Sequence, residues 1–346
     1  DVSDLNSKGF RIKHKKSGAR FLILENDDNN KVFYIAFKTP PKDLTGAPHI
    51  MEHSVLCGSK KFPVKDPFVE LAKGSLNTFL NAMTYPDKTV YPVSSRNDRD
   101  LLNLMDIYLD AVLHPNIYHR PEIFRQEGWR YQPEEEGDFS FQGVVLNEMK
   151  GAYASAETVM EYAMNRNMLS ETPYSFESGG LPENITDLSY EQFIAMHRKY
   201  YHPSNARIML VGDVKIDEAL QKIASFLRDY DRLDEDFSIP YQESPRIDEA
   251  VVPYEIGEDE STAKKTMVSR GYYLGTFEDQ EKSYAATILS DYLAGDNDSP
   301  LRAAILKENL ATDFTINVHD GIQQTWVDWE ALCTEPDRIP RIEELV

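Results

Sequence analysis

Cysteine is scarce in this 346-residue chain, which has only Cys57 and Cys333. Two thiols, not in a Cys-x-x-Cys arrangement, make no disulfide framework and fit a reducing compartment. Long apolar runs are also missing. None approaches the ~20 residues of a membrane-spanning helix, so a soluble protein without a membrane partner is expected. Positive charge is in deficit, with 37 basic against 58 acidic residues and a formal net charge of -21. That balance repels nucleic-acid phosphates and anionic lipid, so no nucleic-acid partner is expected. The first residues, Asp1 to Gly9, are polar rather than signal-like. A start at Asp1 instead of Met is also compatible with a targeting segment trimmed from the front.

What is present is ordinary for a folded chain: 41% hydrophobic, 11% aromatic and 27% charged residues. The length exceeds what one hydrophobic core usually supports, so two units are expected. Phe10 to Lys15 alternates apolar with polar, Ser17-Gly18 turns, and Arg20 to Glu25 and Val32 to Lys38 continue as strands. After Pro40-Pro41 the pattern becomes helical, with Thr45 as a candidate N-cap, Pro48 in the first turn and Gly58 as the stop. Strands are expected at Leu76 to Met83, Thr89 to Val93 and Ala206 to Gly212. Helices are expected at Asp98 to Leu113, Val144 to Ala156, Tyr190 to Tyr200 and Ile216 to Leu227. From Asp229 to Pro253 the chain is acidic and carries proline without apolar periodicity, as linkers do. The reading places a first domain at 1–245 and a second at 246–346, with a strand at Thr266 to Leu274 and helices at Glu281 to Leu293 and Leu301 to Leu310. This second domain carries no metal motif, and its end at Val346 reads as incomplete.

The chemistry gathers in His49-Ile50-Met51-Glu52-His53. On a helix, residues four apart share a face, so two imidazoles can meet one ion while Glu52 flanks it. A zinc peptidase needs protein ligands, an open position for water, and a carboxylate to take that water's proton. His-x-x-Glu-His is the inverzincin order, and Glu52 is the natural base. The bare pattern is equally compatible with surface histidines. A second acidic helix, Val144 to Gly151, places an apolar run before Glu148 and so leads that carboxylate inward, where it would seek a cation; pairing with a lysine or arginine, or a place on a solvated face, stays open because spacing alone does not decide.

Five blocks, HIMEHSVLCGS (49–59), SLNTFLNAMT (75–84), QEGWR (126–130), VVLNEMKGAY (144–153) and YHPSNAR (201–207), resemble the pitrilysin/insulinase family of zinc peptidases. Within it they look most like the presequence-protease branch, which includes falcilysin. The resemblance implies an α+β fold: a two-layer domain with a mixed, mainly antiparallel β-sheet packed against helices, followed by part of a second domain of the same fold. It implies Zn2+ held by His49, His53 and Glu148, with Glu52 activating zinc-bound water to attack the scissile carbonyl. Asn81-Ala82 matches the family's edge strand, which holds substrate as an added β-strand. Glu127 is a candidate to orient a ligand histidine, with a plain salt bridge to an arginine as the alternative. Cys57 reads as a packing thiol.

Family members are longer, with two halves closing a chamber around unfolded peptides. The C-terminal half of the parent is therefore an expected partner, supplying an arginine and a tyrosine at the scissile carbonyl, and this part alone would hydrolyse peptides poorly. Relatives of the fold also serve as non-catalytic peptide-binding or scaffold subunits that lose the metal residues; here all four match. A structural zinc site would need a closed shell of four ligands, and three are apparent. Pro86-Asp87-Lys88 looks bacterial, which favours the cytoplasm, with an organelle matrix as the alternative.

Overall fold

The structure, a computed structural model, describes residues 1–65, 67–244 and 249–346. In chain order the elements are β1 (Lys8–Lys13), β2 (Arg20–Glu25), β3 (Lys31–Lys38), α1 (Ala47–Val55), α2 (Pro67–Gly74), β4 (Asn77–Leu80), β5 (Met83–Thr84) and β6 (Lys88–Ser95). Then come α3 (Asp98–Leu113), α4 (Pro121–Glu127), β7 (Arg130–Pro133), β8 (Phe139–Gln142), α5 (Val144–Ala152), α6 (Ala156–Met168), α7 (Tyr190–Tyr200), β9 (Ala206–Gly212) and α8 (Ile216–Leu227). The chain finishes with β10 (Thr266–Thr276), α9 (Gln280–Ala294), α10 (Pro300–Lys307), β11 (Asp313–His319), β12 (Gln324–Thr334) and α11 (Ile339–Leu345).

These elements fall into two compact units, Asp1–Gly151 with Phe176–Ser238, and Ala152–Ser175 with Ile239–Val346. The expected cut near Arg246 lies outside the described residues. The stretch 152–175 joins the second unit because Met168, Leu169 and Tyr174 are buried with Ile239 and Trp326.

In the first unit the sheet runs β1-β2-β9-β3-β6-β4, with β5 also on β6. Among the described residues only β2 and β9 pair in parallel, so the sheet is mixed and mainly antiparallel, as the family resemblance implies. Its alternation has a direct packing cause. Phe33 sits beside Leu210 and Val93, and Ile35 beside Ile208 and Tyr91, and all of these are buried. Each such side chain contributes ~1.5–3 kcal/mol on leaving water. Asn97 starts α3 by accepting from the Asp100 amide, and Ser189 with Gln192 forms a capping box on α7.

The second unit packs its helices on an antiparallel sheet of order β10-β12-β11. Phe314, Trp329, Ala331 and Ile305 belong to one core, and Trp326 with Met168 and Tyr174 to another. Among the described residues no helix is long and apolar enough to cross a membrane.

Two local expectations are corrected. The helix expected over Val144 to Ala156 ends at Ala152, because the Ser155 side chain accepts from the Thr158 amide and starts α6. Thr45 does not cap α1, since its hydroxyl is bound to Asp43 at 2.6 Å. The N-cap is Gly46, in the left-handed region at φ 67°, and α1 closes at Val55, ahead of Gly58.

Candidate metal centre

α1 is positioned from its first residue. A Cβ at Gly46 would collide with the backbone of Gly179, and one at Gly180 with Gly46, so glycines let the two chain segments touch. The Leu181 amide donates to the Leu44 carbonyl at 2.9 Å and fixes that approach. Ile50, Met51, Glu52 and Val55 are buried on α1, which turns His49 and His53 together toward α5.

The imidazole rings lie 4.9 Å apart at 78°. Nε2 of His49 and Nε2 of His53 are each 3.7 Å from Oε2 of Glu148. Donor atoms of these three residues all fall within 4.8 Å of one another. Tetrahedral donors at zinc distances sit about 3.4 Å apart, close to the 3.7 Å between Glu148 and each imidazole, so small side-chain rotations bring the set to an ion. The Glu148 side chain is 53% exposed. This corrects the inward-pointing carboxylate of the sequence reading: Val145, Leu146 and Met149 are the buried residues of α5, and Glu148 projects from its open side. The cluster is thereby open to solvent on the Glu148 side.

Electrostatics divide the imidazoles. Burial, then the neighbouring His53, hold His49 below the ordinary histidine value, against Glu148 and the Gly179 backbone. Burial also pushes His53 down, but its hydrogen bond to Glu127 and the surrounding carboxylates raise it overall. Glu52 is buried, and that burial raises its carboxyl, opposed by the hydrogen bond from Thr84 and by His53. A neutral His49 offers a lone pair, and a raised Glu52 is a better base near neutrality.

Residues 39–131, which include the whole histidine motif, match the insulinase family (Peptidase family M16). Residues 187–344 match the Peptidase M16 inactive domain. The chain belongs to the M16 (insulinase) family. It is 45% identical to Protein HypA of Clostridium perfringens over 88% of this chain and 32% of that one. It is 40% identical to Presequence protease 1, chloroplastic/mitochondrial, of Arabidopsis thaliana over 100% of this chain and 32% of the other. The chain thus spans about a third of the length of these curated relatives. A protease structure from Helicobacter pylori superposes with a TM-score of 0.76 at 18% identity, covering 98% of this chain and 78% of that one, and supports the fold.

Around the M16 motif, Glu127 is buried, with Oε2 3.3 Å from Nδ1 of His53, while Gln126 Nε2 donates to its Oε1 at 2.7 Å. Its partner is therefore the imidazole and not an arginine. Cys57 Sγ lies 3.5 Å from the same Oε1 and is half-buried. Asn81 and Ala82 lie in the break between β4 and β5 rather than within a strand, a correction to the edge-strand expectation. The Asn81 amide donates to Pro92 at 3.3 Å, and its carbonyl accepts from Tyr108 at 3.3 Å, so both backbone groups are engaged inside the unit. One residue escaped the sequence reading: Thr84, whose hydroxyl donates to Oε2 of Glu52 at 2.6 Å. It lies inside a quoted block, yet 32 residues from Glu52, and no local pattern links the two.

Proposed function

We propose that this chain is the zinc-binding part of a metalloendopeptidase that degrades short unfolded peptides. The observation that carries the reading is the convergence of His49, His53 and Glu148 donors beside the buried Glu52. Bound zinc would polarise the scissile carbonyl and acidify a water. His49 and His53 would present Nε2, with Glu127 fixing the tautomer and orientation of His53 through Nδ1. Glu52 takes the proton of the attacking water. Thr84 holds one of its oxygens, and burial keeps the carboxylate basic. Substrate would lie extended along the outer side of β4, the last strand in the sheet order, where backbone bonding reads shape more than sequence.

The remaining two-thirds of a longer parent, closing a chamber over this site, is the proposed partner, and full activity is proposed for that parent. A bacterial cytoplasm accords with the Clostridium relative and an organelle matrix with the presequence proteases. The second reading, a non-catalytic peptide-binding or scaffold subunit, draws on the inactive-domain match over residues 187–344. Cleavage of an unstructured fluorogenic peptide by the longer protein separates the two. Activity lost to a chelator and restored by zinc supports the peptidase. Peptide binding with no zinc and no cleavage establishes the non-catalytic subunit.

A further inference from the structure

In a chain of net charge -21, one end of the first unit's sheet gathers positive charge. Lys13 of β1 pairs with Arg20 of β2, Arg20 with Arg207 of β9, and Arg207 with Ala36 of β3. Paired residues share a face and alternate residues return to it, so Lys38 stands on the same face. A concavity of about 240 Å³ is walled by these four on one side and by Arg232, Glu235 and Asp236 of the segment after α8 on the other.

The cations are only partly offset within the fold. Asp236 is turned back on its own loop, accepting from the Ser238 amide at 2.9 Å and hydroxyl at 2.8 Å. The nearby Asp231 is taken by Lys16 at 3.7 Å. Among the described residues no ion pair joins a carboxylate to Lys13, Arg20, Lys38, Arg207 or Arg232. Arg207 Nη1 donates to the carbonyls of Asn205 and Ala206, at 3.2 and 3.3 Å, which fixes the guanidinium. Burial and then the Arg207 and Arg20 charges depress Lys38, with Asp87 and Asp236 opposing, and burial and Arg20 depress Arg207. Half-buried like charges that the nearby carboxylates offset only in part cost stability that a bound anion would return.

We propose that this concavity binds an oxyanion of the phosphate class. Five cations against two carboxylates leave three positive charges around it. A carboxylate would offset only one, whereas a pyrophosphate group is multivalent, and adjacent guanidiniums present forked donors that match phosphate oxygens. The site shares no residue with the imidazole cluster and stands whether or not the chain is a peptidase.

The test is calorimetric titration of the chain with inorganic pyrophosphate and, separately, with adenosine diphosphate. Saturable binding with a Kd below about 1 mM is expected. It should weaken on the order of tenfold or more in Lys13→Glu/Arg20→Glu, at two exposed positions, and in Arg232→Glu on the opposite wall. Tighter binding of the nucleotide would assign an organic phosphate, and tighter binding of pyrophosphate the free anion. No saturable heat with either at about 10 mM, or binding unchanged in both variants, would overturn the proposal.

Discussion

Glu127 in the first unit and Glu330 in the second are both withdrawn from water, yet their protons are driven in opposite directions. Burial alone would raise Glu127, but its hydrogen bonds from His53 and Gln126 lower it overall. Glu330 is raised to about 8, first by burial and then by the charge of Asp328 two residues along β12, with Glu161 adding to it and Asn317 opposing. Asp328 is itself bound by His319 Nε2 at 2.9 Å and the Ser269 hydroxyl at 2.8 Å. The first unit collects carboxylates around two imidazoles, where a cation would be welcome. The second packs carboxylates against each other and leaves one imidazole, already engaged, beside them. Burying an acid does not make a metal centre; the company of free donor nitrogens does.

The contrast sharpens most at Glu52. In the longer protein, Glu52→Gln is expected to slow peptide cleavage by about 10²–10⁴-fold while zinc content stays at the wild-type level. If zinc left with the rate, Glu52 would be a ligand and not a base. Next in size is Glu127→Gln, for which competition with a chromophoric chelator should report zinc held ~10–100-fold more weakly. An unchanged affinity would make the His53 contact incidental. Thr84→Val should lower kcat by about tenfold with KM and zinc content retained, and Thr84→Ser should restore it.

The smallest effect belongs to the second unit. The folded-state value of Glu330 lies above its unfolded one, so the stability it contributes is complete below the unfolded value and is lost as pH rises toward about 8. Melting temperature should therefore fall between pH 5 and pH 9, and Glu330→Gln should recover about 2–4 °C of that fall. A parallel pH profile in the variant would break the comparison on that side.

Much of this arrangement was legible in the sequence wherever one face of an element is buried and the other wet. Arg20–Glu25, Ala206–Gly212, Asp98–Leu113 and Tyr190–Tyr200 form at the predicted bounds for that reason. β11 and β12 were not read, because Asp328 and Glu330 of β12, paired with Asn317 and Thr315 of β11, put polar groups where a buried strand face would show apolar residues. The β7–β8 hairpin hid for the opposite reason, since Tyr131, Phe139 and Phe141 are exposed aromatics. At the site, the helical spacing of His49 and His53 was visible. The burial assigned to Glu148 was not real, because an apolar run gives no phase for the residue that follows it. Thr84 was invisible, being brought to Glu52 only by the path of the sheet.

The most direct test is the zinc content of the purified chain beside His53→Ala and Glu148→Gln. One zinc per chain, lost in His53→Ala and weakened in Glu148→Gln, is the expected result. A chain that takes up no zinc, or holds it equally well without His53, would contradict the account.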